Sequence, residues 1–264
     1  MRRNLILVRA GDDSLHPQWL VGQEPREYDL CISYFGSTPD RYRSEADYYH
    51  VQPGPRWPAH YALCQEHWDW ISAYDRIAFV CDDLTAPVET WNRLFRICRD
   101  YDLDIAQPAI EGHANVPITQ HRPGYLLRYT NYVEVMCPVF RVSLLERLRW
   151  TLAESQSGWG LDHLWRKLLP YPDYRLAVID AARVRHTRPA GDGTLYRVLR
   201  QGGVTPVEER DRLAAKFGIA DLSTLDLRRV PAPGLRAWLT RTRDRTSRLL
   251  RKMAYHLGRL DRNA

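Results

Sequence analysis

The sequence predicts an α/β protein with a mainly parallel sheet flanked by helices, and three observations carry that expectation. Continuous apolar stretches recur at Leu5–Val8, Tyr28–Phe35 and Arg76–Cys81, the pattern of strands covered on both faces. Apolar residues fall at helical spacing over Trp57–Tyr74 and Pro87–Tyr101, a period of 3.6 rather than 2. The two patterns alternate along the chain, as strand–helix–strand units of a parallel sheet require.

Taken in order, Leu5–Val8 is a first strand that ends in the polar turn Arg9–Ser14. Tyr28–Phe35 is a second, closed by Gly36-Ser37-Thr38-Pro39, and Tyr48–Val51 a short third. Trp57–Tyr74 reads as one helix, with Pro58 suited to its first turn. Arg76–Cys81 ends in the acidic pair Asp82-Asp83, and Pro87 opens the next helix. Ile105–Pro108 is a short strand, and Tyr125–Val139, rich in Tyr, Val and Thr, holds one or two more. Leu144–Glu154 and Leu161–Leu169 read as helices separated by Gly158-Trp159-Gly160. Leu176–Asp180 is a strand leading into Val184–Pro189, and Pro206–Phe217 is a helix whose Glu208 and Glu209 suit the dipole of its first turn.

Composition narrows the class. With 264 residues, 44% hydrophobic and 27% charged, the chain buries a sizeable core and is neither disordered nor fibrous. No run reaches the roughly 18 apolar residues of a membrane span. The apolar run before Arg9 is shorter than the roughly 7–15 residues of a signal-peptide core, so a cytoplasmic protein is expected. Five widely spaced cysteines without a C-x-x-C pair point to buried, reduced thiols. The net charge of +6 is unevenly placed. Arg228–Ala264 holds eleven basic and two acidic residues, a net of +9, so the preceding 227 residues carry −3.

Chemistry in an open parallel sheet gathers at the carboxyl ends of its strands. Three polar clusters fall there: Arg9–Ser14, Asp82-Asp83 and His186. Adjacent carboxylates repel unless a cation sits between them, so Asp82 and Asp83 suit Mg²⁺ or Mn²⁺ beside a diphosphate; they equally suit the cap of the following helix. Trp159 between two glycines, with Asp162 close behind, pairs an aromatic plate with a carboxylate, as a sugar requires. A core tryptophan and a helix-dipole acid have the same pattern. His186 lies beyond a strand between Arg185 and Arg188, whose charges favour the neutral, metal-binding imidazole; a structural histidine is the alternative.

Together these clusters resemble the family called domain of unknown function 707, whose members look like glycosyltransferases of the nucleotide-sugar-binding GT-A fold. The resemblance runs over residues 4–200. It rests on Asn4–His16, Asp29–Gly36, Asp82-Asp83, Tyr132–Phe140, Gly158–Asp162 and His186. It implies that Arg9, Gly11, Asp12, Asp13 and Ser14 face the nucleotide, with Asp82 beside the donor. Asp82, Asp83 and His186 would hold Mn²⁺ or Mg²⁺, Glu134, Trp159 and Gly160 would contact substrate, and Asp162 would be the base. Two departures stand out. Cys81 occupies the first position of what is otherwise an acid-x-acid element, and Leu161 stands where a second acid is common. The implied activity moves a sugar from a nucleotide-sugar donor to a saccharide or lipid-linked acceptor in envelope or exopolysaccharide synthesis. A non-catalytic carbohydrate- or nucleotide-binding module is the rival.

Beyond the body, residues 1–228, the sequence predicts a Pro/Gly linker at 229–234 and a basic amphipathic helix at 235–264. Its apolar stripe of Leu249, Leu250, Met253, Leu257 and Leu260 among arginines suits an anionic membrane surface, and equally a protein partner or the body itself. A peripheral position on the inner membrane face, or an adaptor role, follows from the first. No nucleic-acid motif is present, and none is expected as a ligand.

Overall fold

In the computed structural model, residues 3–170, 175–189, 203 and 205–234 are described. Strands β1 (Asn4–Ala10), β2 (Tyr28–Tyr34), β3 (Tyr48–Val51) and β4 (Arg76–Cys81) pair in parallel in the order β3-β2-β1-β4. Strand β8 (Val139–Arg141) inserts antiparallel between β4 and β6 (Ile105–Gly112). β6 pairs in parallel with β9 (Leu176–His186), and the antiparallel strands β7 (Tyr125–Thr130) and β10 (Asp226–Pro231) close that side. Among the described residues, seven of the nine strands along this path run one way; only β7 and β8 oppose them. The two-residue β5 (Leu84–Thr85) pairs separately with the end of β9.

The alternation of β1 explains its unbroken apolar run. Ile6 and Val8 face one core with Trp91, Leu94 and Phe95 of α3 (Val88–Asp100). Leu5 and Leu7 face the other, with Trp57 and Leu63 of α1 (Arg56–Glu66) and Leu164 and Trp165 of α5 (Leu161–Leu168). Both faces are therefore dry, and each fully buried aliphatic or aromatic side chain contributes about 1.5–3 kcal/mol. The five cysteines are free thiols, as expected, four of them buried.

Several elements differ from the sequence expectation. The Trp57–Tyr74 helix breaks at His67, where φ is −126°, and resumes as α2 (Trp68–Ile71). Leu144–Glu154 is α4 (Val142–Leu148) followed by a tighter 3-10 turn over Arg149–Ala153. His186 is the last residue of an eleven-residue strand, not a position beyond one. A register shift opposite Pro108/Ala109 lets that long strand continue past a missing donor.

The linker expected from Arg229 falls partly inside β10, so the body does not stop at 228. Stacking of Arg228 over Tyr129 (4.2 Å) and Arg229 over Tyr125 (5.4 Å), with Asp226 bound to Arg128 and Arg229, outweighs the prolines. Pro231 ends an edge strand, where a missing N–H is tolerated. The basic amphipathic helix assigned to 235–264 lies outside the described residues. No helix among them is long and apolar enough to cross a membrane.

Candidate functional site

A cleft of about 870 Å³ opens where β1, β4 and β9 end. Arg9, Gly11, Asp12, Asp13, Asp82, Asp83, Glu134, Trp159, Gly160, Asp162 and His186 all line it. Ser14 does not. It is buried behind the turn, its hydroxyl 2.6 Å from His16 Nδ1, because Ser14 N–H closes that turn on the Gly11 carbonyl.

The first wall is held by carbonyls and short turns. Arg9 donates to Ser33 Oγ (2.8 Å) and to the carbonyls of Gln52 and Gly54 (both 2.7 Å), with Phe35 beneath its guanidinium. Burial lowers its pKa to about 10, against the nearby charge of Asp82. The Asp12 carboxylate accepts from Tyr34 Oη, from the N–H and hydroxyl of Ser37 and from Thr38 N–H. Those donors hold it well below the usual carboxylate range. A Cβ on Gly11 would lie 3.0 Å from the Phe35 ring, which would have to give way slightly to admit it.

At the end of β4, Arg56 donates to Cys81 Sγ (2.7 Å) and to the carbonyls of Phe79, Val135 and Met136. Cys81 Sγ thus lies against a guanidinium, and burial pushes its thiol up to about 12. Asp82 Oδ2 accepts the Gly11 N–H at 2.9 Å; burial, with the charge of Asp83, still raises its pKa. Pairing of β5 with β9 sets Leu84 opposite His186 and so brings Asp83 to the imidazole, Oδ2 to Nε2 at 3.1 Å.

The other ring nitrogen, Nδ1, lies 2.6 Å from the His113 carbonyl, so Nδ1 carries a proton. Burial opposes a charged ring, but the hydrogen bond and charge of Asp83 prevail and raise its pKa. Neither Arg185 nor Arg188, the two charges expected to favour the neutral imidazole, is among those that act on it most. Arg185 is exposed, and Arg188 donates instead to the Asp13 carbonyl at 3.1 Å.

The opposite wall is the loop before α5. Gly158 and Gly160 have φ of +89° and +95°, and a Cβ on Gly158 would sit 2.1 Å from Trp57 Nε1. Asp162, in the first turn of α5, accepts from Tyr132 Oη (2.7 Å) and His163 N–H (2.8 Å). Burial raises its pKa, opposed by His163 and those donors.

Sequence reasoning missed what fixes this loop. Glu209, on α6 (Pro206–Phe217), is buried rather than serving only the helix dipole. It accepts from Ser155 Oγ (2.9 Å), Gln156 N–H and Ser157 N–H (both 2.8 Å). Arg56, Arg210, Asn115 and Tyr132 also line the cleft. Tyr132 stood inside the resembling segment; the others gave no motif signal.

No group of three or more His, Cys, Asp or Glu donors is poised for a metal among the described residues. Two donors do fit one. Asp83 Oδ1 is buried without a partner, and His186 has its far nitrogen fixed by a carbonyl, as an imidazole ligand requires. Such a pair needs ligand oxygens to complete a cation's shell.

The topology matches known structures. A crystal structure of GalNAc-T7 with UDP, GalNAc and Mn²⁺ superposes with a TM-score of 0.50 at 10% identity, over 80% of this chain and 50% of that one. TarS of S. aureus superposes with a TM-score of 0.51 at 15% identity, over 82% and 43%. The chain has a GT-A fold. It spans half the length of GalNAc-T7 and less than half of TarS. No family model matches the chain and no curated protein matches its sequence, so the family resemblance rests on the motifs alone.

Proposed function

We propose that the protein is a glycosyltransferase that moves a sugar from a nucleotide-sugar donor to a saccharide or lipid-linked acceptor. The observation that carries this is the convergence, at the strand ends of a GT-A fold, of the Asp83–His186 pair with Asp162 across one cleft. The Arg9–Asp13 turn, with Phe35, receives the nucleotide. Asp83 and His186, with Asp82 alongside, hold Mn²⁺ or Mg²⁺ and the diphosphate. That cation supplies positive charge to the departing diphosphate. Trp159 and Gly160 flank the acceptor, and Asp162 takes the proton of its hydroxyl. Tyr132 orients that carboxylate.

UDP in the GalNAc-T7 structure makes uridine donors the first to test. The experiment is release of UDP from UDP-sugars by the full chain with Mn²⁺, with and without saccharide acceptors. Turnover that disappears in Asp162→Asn while UDP affinity persists supports the assignment; an Asp162→Asn chain as active as wild type removes Asp162 as base.

One observation favours a second reading, a nucleotide-sugar-binding module without turnover. Cys81 is neutral and bonded to Arg56, leaving the acidic element one carboxylate short. Donor binding without hydrolysis or transfer under any acceptor would select it. Docking to an anionic membrane through residues 235–264 belongs to the same proposal, and deletion of that segment followed by liposome sedimentation tests it.

A further inference from the structure

The loop between β2 and β3, residues 35–47, forms the rim of the cleft beside the Arg9–Ser14 turn, and its Phe35, Gly36 and Ser37 line that cleft. It is tied to the turn through one residue. Asp12 Oδ1 accepts from Tyr34 Oη and from Thr38 N–H at 3.2 Å, and Oδ2 accepts from the N–H and hydroxyl of Ser37 at 2.9 and 2.8 Å. The Asp12 carbonyl accepts from Tyr42 Oη at 2.7 Å, farther along the same loop. Tyr34, buried at the end of β2, also accepts the Thr38 N–H at 3.0 Å.

A carboxylate offers about four lone-pair positions, and four donors of this chain occupy them at Asp12. Asp12 therefore has no acceptor to spare for a ribose or a base, although the resemblance sets it among the residues that face the nucleotide. The loop, for its part, needs holding. Asp40 and Tyr42 lie in the left-handed region, with φ of +55° and +67°, which residues other than glycine keep only where their surroundings impose it. Beneath the cleft-lining Gly36, a Cβ would fall 2.4 Å from the Tyr34 hydroxyl and 2.6 Å from Asp12 Oδ1. The Asp12–Tyr34 contact thus sets where Gly36 and Ser37 sit, and the Phe35 N–H joins them to the Ala10 carbonyl at 3.0 Å.

We propose that Asp12 is a positioning residue rather than a nucleotide ligand: it latches the 35–47 loop against the first turn and so sets the wall on which the nucleotide rests. This rests on the donor reading above and adds to it the residue that shapes the nucleotide end of the cleft. One consequence separates a latch from a ligand. Tyr34 is not among the residues that line the cleft, yet its hydroxyl controls nucleotide affinity through Asp12 and Thr38.

The test is calorimetric titration of UDP, in Mn²⁺, into the full-length wild type, Tyr34→Phe, Asp12→Ala and the double variant. Hydrogen exchange at the Ser37 and Thr38 amides is the second readout. Tyr34→Phe is expected to weaken UDP about threefold, and Asp12→Ala about tenfold, the loss for a hydrogen bond to a charged group. The double variant is expected to bind within about twofold of Asp12→Ala alone, because both changes release one latch. Exchange at both amides is expected to rise in all three variants. A Tyr34→Phe chain of wild-type affinity beside a weakened Asp12→Ala makes Asp12 a direct ligand and overturns the proposal. Losses that multiply in the double variant, unchanged UDP affinity in Asp12→Ala, or amides protected as in wild type overturn it too, and all of these leave the donor reading intact. A wild-type chain that binds no UDP removes the donor reading itself, and this proposal with it.

Discussion

Removing the Glu209 carboxylate should loosen the acceptor-side loop, and the structure gives the size of the effect. Three donors converge on it: Ser155 Oγ, Gln156 N–H and Ser157 N–H. Gln156 is exposed, so its amide finds water when the carboxylate goes. Ser155 and Ser157 are buried. Two buried donors left without an acceptor cost about 1–3 kcal/mol each, and water entering the space left by truncation recovers part of that. Glu209→Ala should therefore destabilise the fold by about 2–4 kcal/mol, and Glu209→Gln, which keeps one acceptor oxygen, by about half as much.

The assay is urea unfolding of both variants beside wild type, compared by midpoint and slope. The pH dependence adds a second readout. Burial alone would raise the pKa of Glu209, but its three donors outweigh burial and hold it below the ordinary value. Its contribution is thus complete above the unfolded-state pKa of about 4.3 and fades as pH falls through the folded one, so the Ala deficit shrinks in acid. An Ala variant within about 0.5 kcal/mol of wild type at neutral pH would refute the clamp.

Three further outcomes follow from the geometry. Gly158→Ala places a methyl 2.1 Å from Trp57 Nε1 at φ +89°, and should lower the melting temperature through a loss of about 2–4 kcal/mol; a melt superimposable on wild type would show that the loop relaxes freely. Because burial raises the Asp162 pKa, transfer should fall on acidification at a pH above the usual carboxylate range, since the base must be ionised. The pH–rate profile checks this, and an acid limb at the ordinary aspartate value contradicts it. Arg56→Met removes the guanidinium held by three carbonyls and Cys81. It should destabilise the chain by about 3 kcal/mol, measured by urea midpoint; a loss below about 1 kcal/mol would show those carbonyls find other donors.

Much of this arrangement was legible in the sequence because its signals are local. The run Leu5–Val8 alternates between two dry faces, so continuous apolarity reported a central strand directly. Arg9–Asp13, Asp82-Asp83 and Asp162 were found because strand ends and a helix start are marked by composition. What stayed hidden was long-range pairing. Nothing near His186 announces Asp83, 103 residues away; only the β5–β9 bridge joins them. The flanking arginines are the charges visible near that ring in the sequence, whereas the charge that acts on it most is the facing Asp83 carboxylate. Glu209 looked like a dipole partner of its own helix, yet its carboxylate serves a loop more than fifty residues earlier. Ser14 misled in the opposite direction, since neighbours in a turn point to opposite sides of it. The strand β10 was obscured by Pro231 and Pro233, whose usual meaning holds only away from sheet edges.

The proposed function depends on this cleft binding a nucleoside diphosphate through Asp83 and His186. Calorimetric titration of UDP into the full chain, with and without Mn²⁺, tests it most directly. The expected result is saturable binding that strengthens with Mn²⁺ in wild type and loses that dependence in Asp83→Asn. A chain that binds no UDP in either condition, or an Asp83→Asn variant whose Mn²⁺-dependent affinity is unchanged, would contradict it.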